Sequence, residues 1–193
     1  ANKTIAFGLL NAVAGSVVET FTSAGNYTAS FSSANIAGGG NGILTFNPTS
    51  ANMIVTGNMT TSNTNANPTL VLDGTATDNA INGVISNSTG TATPAVAVVK
   101  SNASNWTFRG ANTYSAGTSI NGGTLTISNA TGSGVGTGNV SVAGGTLGGV
   151  GLLGASSNAS NVTVTTGQIN PGAVADVGTL TVNGDVAFAN TGG

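Results

Sequence analysis

The chain has 193 residues, only 3 basic and 5 acidic, with no cysteine and no histidine. Without thiols there is neither a disulfide framework nor a thiolate metal site, and without imidazole the usual general base and commonest metal ligand are missing. The three cations, Lys3, Lys100 and Arg109, are too few to neutralise a phosphate backbone, so nucleic acid is not an expected partner.

Charged residues are 4% of the chain, against about 25% in an ordinary domain. Disordered chains combine high charge with low hydrophobicity, whereas here 39% of residues are hydrophobic, so the chain is expected to fold. A surface this poor in charge is weakly defended against self-association, which points to a protein that works assembled or tethered. No run approaches the ~20 apolar residues of a membrane helix, and no transmembrane segment is expected.

In chain order, residues 1–24 stand apart as an apolar N-terminal segment. Lys3 and the stretch Thr4–Leu10 loosely imitate a signal peptide, but Ala1 reads as a processed N-terminus. Alternation puts Ile5, Phe7 and Leu9 on one side and Leu10 on the other, so the strand needs cover on both faces. The segment is either a cap or a connector to a second copy.

Residues 25–193 are expected to form a single domain. Its units are short runs with a period of two, the strand signature. The first are Leu44/Phe46, Met53/Val55, Leu70/Leu72, Val96/Val98 and Trp106/Phe108. Next come Leu125/Ile127, Val140/Val142, Val162/Val164 and Leu180/Val182, alternating with Thr, Ser and Asn. Turn residues punctuate them: Gly38-Gly39, Asn41-Gly42, Asn82-Gly83, Asn121-Gly122, Gly144-Gly145 and Asn183-Gly184. The last of these is compatible with a hairpin or a solenoid corner. The steps Leu125 to Val140, Val140 to Val162 and Val162 to Leu180 exceed the spacing of an antiparallel sandwich and match the coils of a solenoid. The expected fold is all-β, a right-handed parallel β-helix (β-solenoid) of about eight to ten coils.

Residues 98–185 carry a specific pattern. It runs Trp106-Thr107-Phe108-Arg109-Gly110-Ala111-Asn112-Thr113-Tyr114, then Gly123-Thr124-Leu125, then Gly144-Gly145-Thr146-Leu147-Gly148-Gly149-Val150-Gly151. This resembles the passenger-associated repeat of bacterial autotransporters, with Ser101–Asn105 carrying Asn and Ser where that family usually has Gly. The resemblance implies a parallel β-helix secreted to the cell surface as an adhesin, stalk or fibre.

Candidate chemistry is sparse. Glycoside cleavage needs two carboxyl groups facing one bond. Asp73, Asp78, Asp176 and Asp185 each sit in a turn, where Asp commonly bonds its own backbone. Lys100 and Arg109 read as charges on strand faces that discourage edge pairing. Trp106 reads as core rather than a sugar platform, and Tyr114 as closing a coil. Asn-x-Ser/Thr triplets, such as those at Asn26, Asn58, Asn105 and Asn161, arise from composition. No catalytic residue, cofactor or metal is expected. The expected function is a non-catalytic extracellular structural protein that assembles head to tail with itself. The alternative is an adhesin for glycans or a host surface. The expected assembly residues are Ile5, Phe7, Leu9, Leu10 and Val13 at one end, with Val186 and Phe188 at the other.

Overall fold

β-Branched and apolar residues alternate with Thr, Ser and Asn in short runs, each ended by Gly or Asn. Such runs become short strands joined by tight corners rather than hairpins when the apolar faces can stack in register. A computed structural model describes residues 3–13, 15–24, 27–37, 42–62, 66–89, 93–155, 159–172 and 177–189. Asn26, Gly38-Gly39, Asn41 and Asp176 lie outside the described residues.

Nineteen strands and no helix occur among the described residues. In chain order they are β1 (Lys3–Ala12), β2 (Ser16–Phe21), β3 (Tyr27–Ile36), β4 (Ile43–Pro48), β5 (Asn52–Val55), β6 (Met59–Thr61) and β7 (Thr69–Leu72). Then come β8 (Asn79–Ile81), β9 (Ala97–Lys100), β10 (Asn105–Phe108), β11 (Thr118–Ile120), β12 (Thr124–Ile127) and β13 (Val140–Val142). The last six are β14 (Thr146–Gly149), β15 (Leu152–Leu153), β16 (Val162–Val164), β17 (Gln168–Pro171), β18 (Thr181–Val182) and β19 (Val186–Phe188).

They form a parallel β-solenoid. The first sheet stacks β1-β3-β5-β8-β10-β12-β14-β17, and the second stacks β2-β4-β7-β9-β11-β13-β16-β19. Each sheet is therefore eight layers deep, about seven turns from first strand to last. Every strand pair is parallel; the one antiparallel bridge among the described residues joins Gly149 to Gly172. A third side is built from shorter pieces. It includes β6 on β3, the Met59–Ile85 bridge, the Thr113 N–H on Ile85 O at 3.0 Å, the Gly134 N–H on Leu152 O at 2.7 Å, and β18 on β15.

The coil length is read from the register, and it varies along the stack: Phe46 pairs with Leu72 and Leu72 with Lys100, 26 and 28 residues on by number, whereas Lys100 pairs with Ile120, 20 residues on. Further along, Leu125 pairs with Leu147 and Leu147 with Ile169, as Val140 pairs with Val162, and each of these steps is 22 residues by number. The expected step from Leu125 to Val140 is not a coil: it crosses from the first sheet to the second. The step from Val162 to Leu180 likewise leads to the third side. Asn183-Gly184 is a corner, because β18 and β19 pair with different sheets.

The interior is one continuous apolar column set. Leu125, Ile127, Val140, Val142, Val162 and Val164 are buried as expected, and so are Trp106 and Phe108. Leu180 and Val182 are only half-buried, since they belong to the last layer and have neighbours on one side only. Phe46 stacks on Trp106 across the interior with ring centroids 5.9 Å apart.

Residues 3–21 are continuous with the solenoid rather than a separate segment: β1 and β2 form the first layer of both sheets, in register with β3 and β4. The apolar character of both faces of β1 has a geometric cause. Its partner β3 pairs with β5 through Thr28–Phe31 and with β6 through Ala34–Ile36, so both strands turn a corner midway. Buried Phe31 lies before the corner and buried Ala34 and Ile36 after it. Phe7 is opposite Phe31, and Leu10 and Ala12 are opposite Ala34 and Ile36. Ile5, Phe7, Leu10 and Ala12 thus share the interior despite opposite parity, whereas Leu9 lies opposite Ser33 and is exposed.

Candidate functional site

Two inward columns of the second sheet run the length of the described solenoid. One reads Val17, Leu44, Leu70, Val98, Thr118, Val140, Val162, Val186. The other reads Glu19, Phe46, Leu72, Lys100, Ile120, Val142, Val164, Phe188. In-register parallel partners point the same way, so the exposed ends of each column are defined by the ladder itself. All the members between the two end layers are buried.

Among the described residues, β1 and β2 each pair with a strand on one side only. Ile5 and Phe7 point inward yet remain about half exposed, Phe7 at 48%. Phe7 stacks on Phe31 with centroids 5.0 Å apart, and Phe21 meets Phe31 edge-on at 5.5 Å. Ile5, Phe7, Phe21, Ala29 and Ala51 line an open pocket together with Tyr27 and three threonines. Leu10 is half-buried, and Val13 is exposed just beyond β1. Along β2, Val17, Glu19 and Phe21 are half-buried while Ser16, Val18 and Thr20 are exposed. Glu19 is therefore a carboxylate on the inward side, between two apolar neighbours.

At the C-terminal end, Val186 and Phe188 close the two columns and are exposed, Phe188 at 71%. Ile169 on β17 and Val182 on β18 are half-buried beside them. The ladder thus brings Val186 and Phe188 to one end and Ile5, Phe7 and Leu10 to the other. Leu9 and Val13 are exposed at the N-terminal end without belonging to the inward set.

Lys100 corrects the expectation of a charge on a strand face. It is not a surface charge: it stands fully buried in the inward column, and its Nζ donates to the carbonyls of Ser101 (2.5 Å), Asn102 (3.0 Å) and Gly122 (3.1 Å). Burial lowers its pKa to about 8, partly opposed by the negative charge of Asp73. Asp73 in turn accepts a bond from Asn102 Nδ2, and Asn102 adopts a left-handed φ of 50°. Gly123, at φ 60°, makes room here, since a Cβ on it would lie 2.7 Å from Lys100 Nζ and 2.2 Å from Ser104 O.

Tyr114 is buried with its hydroxyl 2.6 Å from Thr118 Oγ1, and burial pushes its pKa up. Arg109 is exposed and donates to Asn82 Oδ1 at 3.0 Å. Asp78 and Arg109 line a shallow groove floored by Asn105, Thr107, Thr124 and Thr126. Among the described residues, no three acids, histidines or cysteines converge on a metal-sized point.

The inward placement of Glu19 and Lys100 had a sequence signal. Glu19 shares parity with Val17 and Phe21, and Lys100 with Val96 and Val98. Each is a charge at a position where the period of two calls for an apolar side chain.

Residues 98–127 match the family model described as passenger-associated-transport-repeat. In the structure this stretch runs from β9 through β12. It includes buried Lys100, Trp106 and Tyr114 and one full turn of the solenoid. The chain matches no curated protein and no solved structure.

Proposed function

We propose that the chain is a non-catalytic segment of a secreted, cell-surface, passenger-type β-solenoid, and that it extends by stacking head to tail on a second copy. The repeat match at 98–127 supports the passenger reading, and the sparse acids support a structural role. One observation carries the stacking: the same inward columns end in half-buried Val17 and Glu19 at one end and in exposed Val186 and Phe188 at the other. A second copy continues them in register, placing Val186 beside Val17 and extending both sheets. Open sheet edges with free backbone groups are templates for such addition. Burying Ile5, Phe7, Leu10, Val186 and Phe188 contributes on the order of 8–12 kcal/mol before ordering costs. A head-to-tail contact of this kind gives filaments unless its rotation closes a ring.

Sedimentation and electron microscopy of the purified chain from pH 4 to pH 8 test the proposal. Rods that lengthen by whole subunits are expected at some pH in that range. Ile5→Lys or Val186→Lys, one at each end, is expected to leave the circular dichroism spectrum unchanged and abolish the rods. A chain that stays monomeric at every pH and concentration refutes the stacking. Loss of a glycan-cleaving activity in Asp73→Asn, Asp78→Asn or Asp185→Asn refutes the non-catalytic reading.

A further inference from the structure

Asparagine is a thermolabile residue, and a following glycine leaves the next main-chain nitrogen unhindered because it has no Cβ. Three Asn-Gly pairs lie wholly among the described residues: Asn82-Gly83, Asn121-Gly122 and Asn183-Gly184. All three sit at corners between strands, yet the structure holds them differently. We propose that Asn121 is a site of spontaneous covalent modification, converting in the folded protein to aspartate and isoaspartate through a cyclic imide formed with the Gly122 nitrogen. In that step the Gly122 nitrogen loses its proton and attacks Asn121 Cγ. The Cγ–Nδ2 bond breaks, and Nδ2 takes up a proton and leaves as ammonia. Water then opens the imide at either carbonyl. Opening at Cγ gives aspartate, and opening at the main-chain carbon gives isoaspartate.

Asn121 is exposed, and its carboxamide makes no hydrogen bond among the described residues. Neither does the peptide group that joins it to Gly122. The corner is held only on either side of that group: Asn121 N–H donates to Lys100 O at 2.8 Å, and Gly122 O accepts from Lys100 Nζ at 3.1 Å. Gly122 is also the least crowded of the three glycines, since the nearest atom to a Cβ on it would be Asn102 O at 3.1 Å. The other two pairs are clamped. Asn82 Oδ1 accepts from Arg109 Nη1 at 3.0 Å, and a Cβ on Gly83 would lie 2.2 Å from Gly57 O. Asn183 Nδ2 donates to Gly154 O at 3.1 Å, Asn183 O accepts from Ser160 N–H at 3.0 Å, and a Cβ on Gly184 would lie 2.6 Å from Ser160 O. A carboxamide held by a hydrogen bond must break it before it can turn to the adjacent nitrogen, and a glycine wedged against backbone cannot tilt to meet it. Conversion has a structural consequence. Isoaspartate adds one carbon to the main chain just after buried Ile120, at the corner where β11 of the second sheet leads to β12 of the first.

The test is incubation of the folded full chain at pH 8 and 37 °C, followed by peptide mass spectrometry with fragmentation that separates isoaspartate from aspartate. Wild type, Arg109→Met and Asn121→Gln are compared. In wild type, conversion at Asn121 is expected to run about tenfold or more faster than at Asn82 or Asn183, a barrier lower by about 1.4 kcal/mol. In the chain unfolded by urea the three rates are expected to converge, because the difference comes from the fold. Arg109→Met releases the Asn82 carboxamide and is expected to raise the rate there while leaving Asn121 unchanged. Asn121→Gln is expected to stop conversion at that position, because the longer side chain closes only a larger and slower ring. Aged wild type is expected to unfold at lower urea than aged Asn121→Gln, the two being alike when fresh. Conversion at Asn121 no faster than at Asn82 and Asn183 in the folded protein overturns the proposal. So does the same ranking of the three sites in urea, which would assign it to local sequence rather than to the corner.

Discussion

Glu19 and Lys100 stand in one inward column of the second sheet, three strand steps apart, and meet opposite fates. Lys100 is fully buried and its ammonium is satisfied by the carbonyls of Ser101, Asn102 and Gly122. Glu19 stands at the first described layer of the column, opposite Phe46, and is half-buried. The difference is one of backbone supply. Corners present carbonyl oxygens to the interior, which suits a cation, whereas the middle of a strand presents neither donors nor acceptors to its faces.

Lys100 makes stability depend on alkaline pH. Its pKa falls from 10.5 unfolded to about 8 folded, so the unfolded chain binds more protons between those values. Stability therefore rises with pH through that window. Tyr114 acts oppositely above pH 10, because its pKa is raised on folding and the unfolded chain loses that proton first. Urea midpoints are expected to climb from pH 8 to about pH 10 and then fall. In Lys100→Met the climb is expected to vanish; a climb of the same size in that variant excludes Lys100 as its source.

Gly83 belongs to a column of close approaches at the corner beyond the first sheet. A Cβ on Gly57 would lie 2.3 Å from Ser32 O, on Gly83 2.2 Å from Gly57 O, and on Gly110 2.2 Å from Gly83 O. The obstacle is backbone in every case and has no rotamer to escape into. Gly83→Ala is expected to push adjacent coils apart and to cost roughly 2–4 kcal/mol, within the range for strain in a packed interior. Gly8→Ala, with nothing within 4 Å, serves as the comparison and is expected to be near neutral in equilibrium unfolding.

Asn112 stitches three successive layers from within. Its Oδ1 accepts from Ile85 N–H at 2.8 Å and its Nδ2 donates to Gly134 O at 2.6 Å, all buried. Asn112→Ala strands a donor and an acceptor, each costing about 1–3 kcal/mol. Loss of urea stability in that range is expected, together with faster hydrogen exchange at the Ile85 amide. Unchanged exchange there would show that another group holds that amide.

Leu125 is fully buried between Trp106 and Leu147 in the first sheet. Leu125→Ala is expected to cost about 2–5 kcal/mol as a cavity. Leu125→Asp buries an unpaired charge and is expected to prevent folding. Wild-type melting of the Asp variant would mean that the interior register is wrong.

The sequence by itself determined that this chain is a stack of short parallel strands. The period of two marks Leu125, Ile127, Val140 and Val142 as inward, Gly and Asn mark the corners, and the Trp106 to Gly151 pattern carries the passenger-repeat resemblance. These are local properties, readable because a strand's faces alternate whatever its partners are. Which strands stack on which was not local. The unequal coil lengths, the corner that lets Ile5, Phe7, Leu10 and Ala12 share one interior, and the column joining Glu19 to Lys100 and Phe188 all depend on register between residues far apart in the chain. Only the tertiary structure sets that register, because it comes from packing apolar layers and from backbone contacts such as that of Gly83 on Gly57. Neither leaves a spacing that the sequence alone displays.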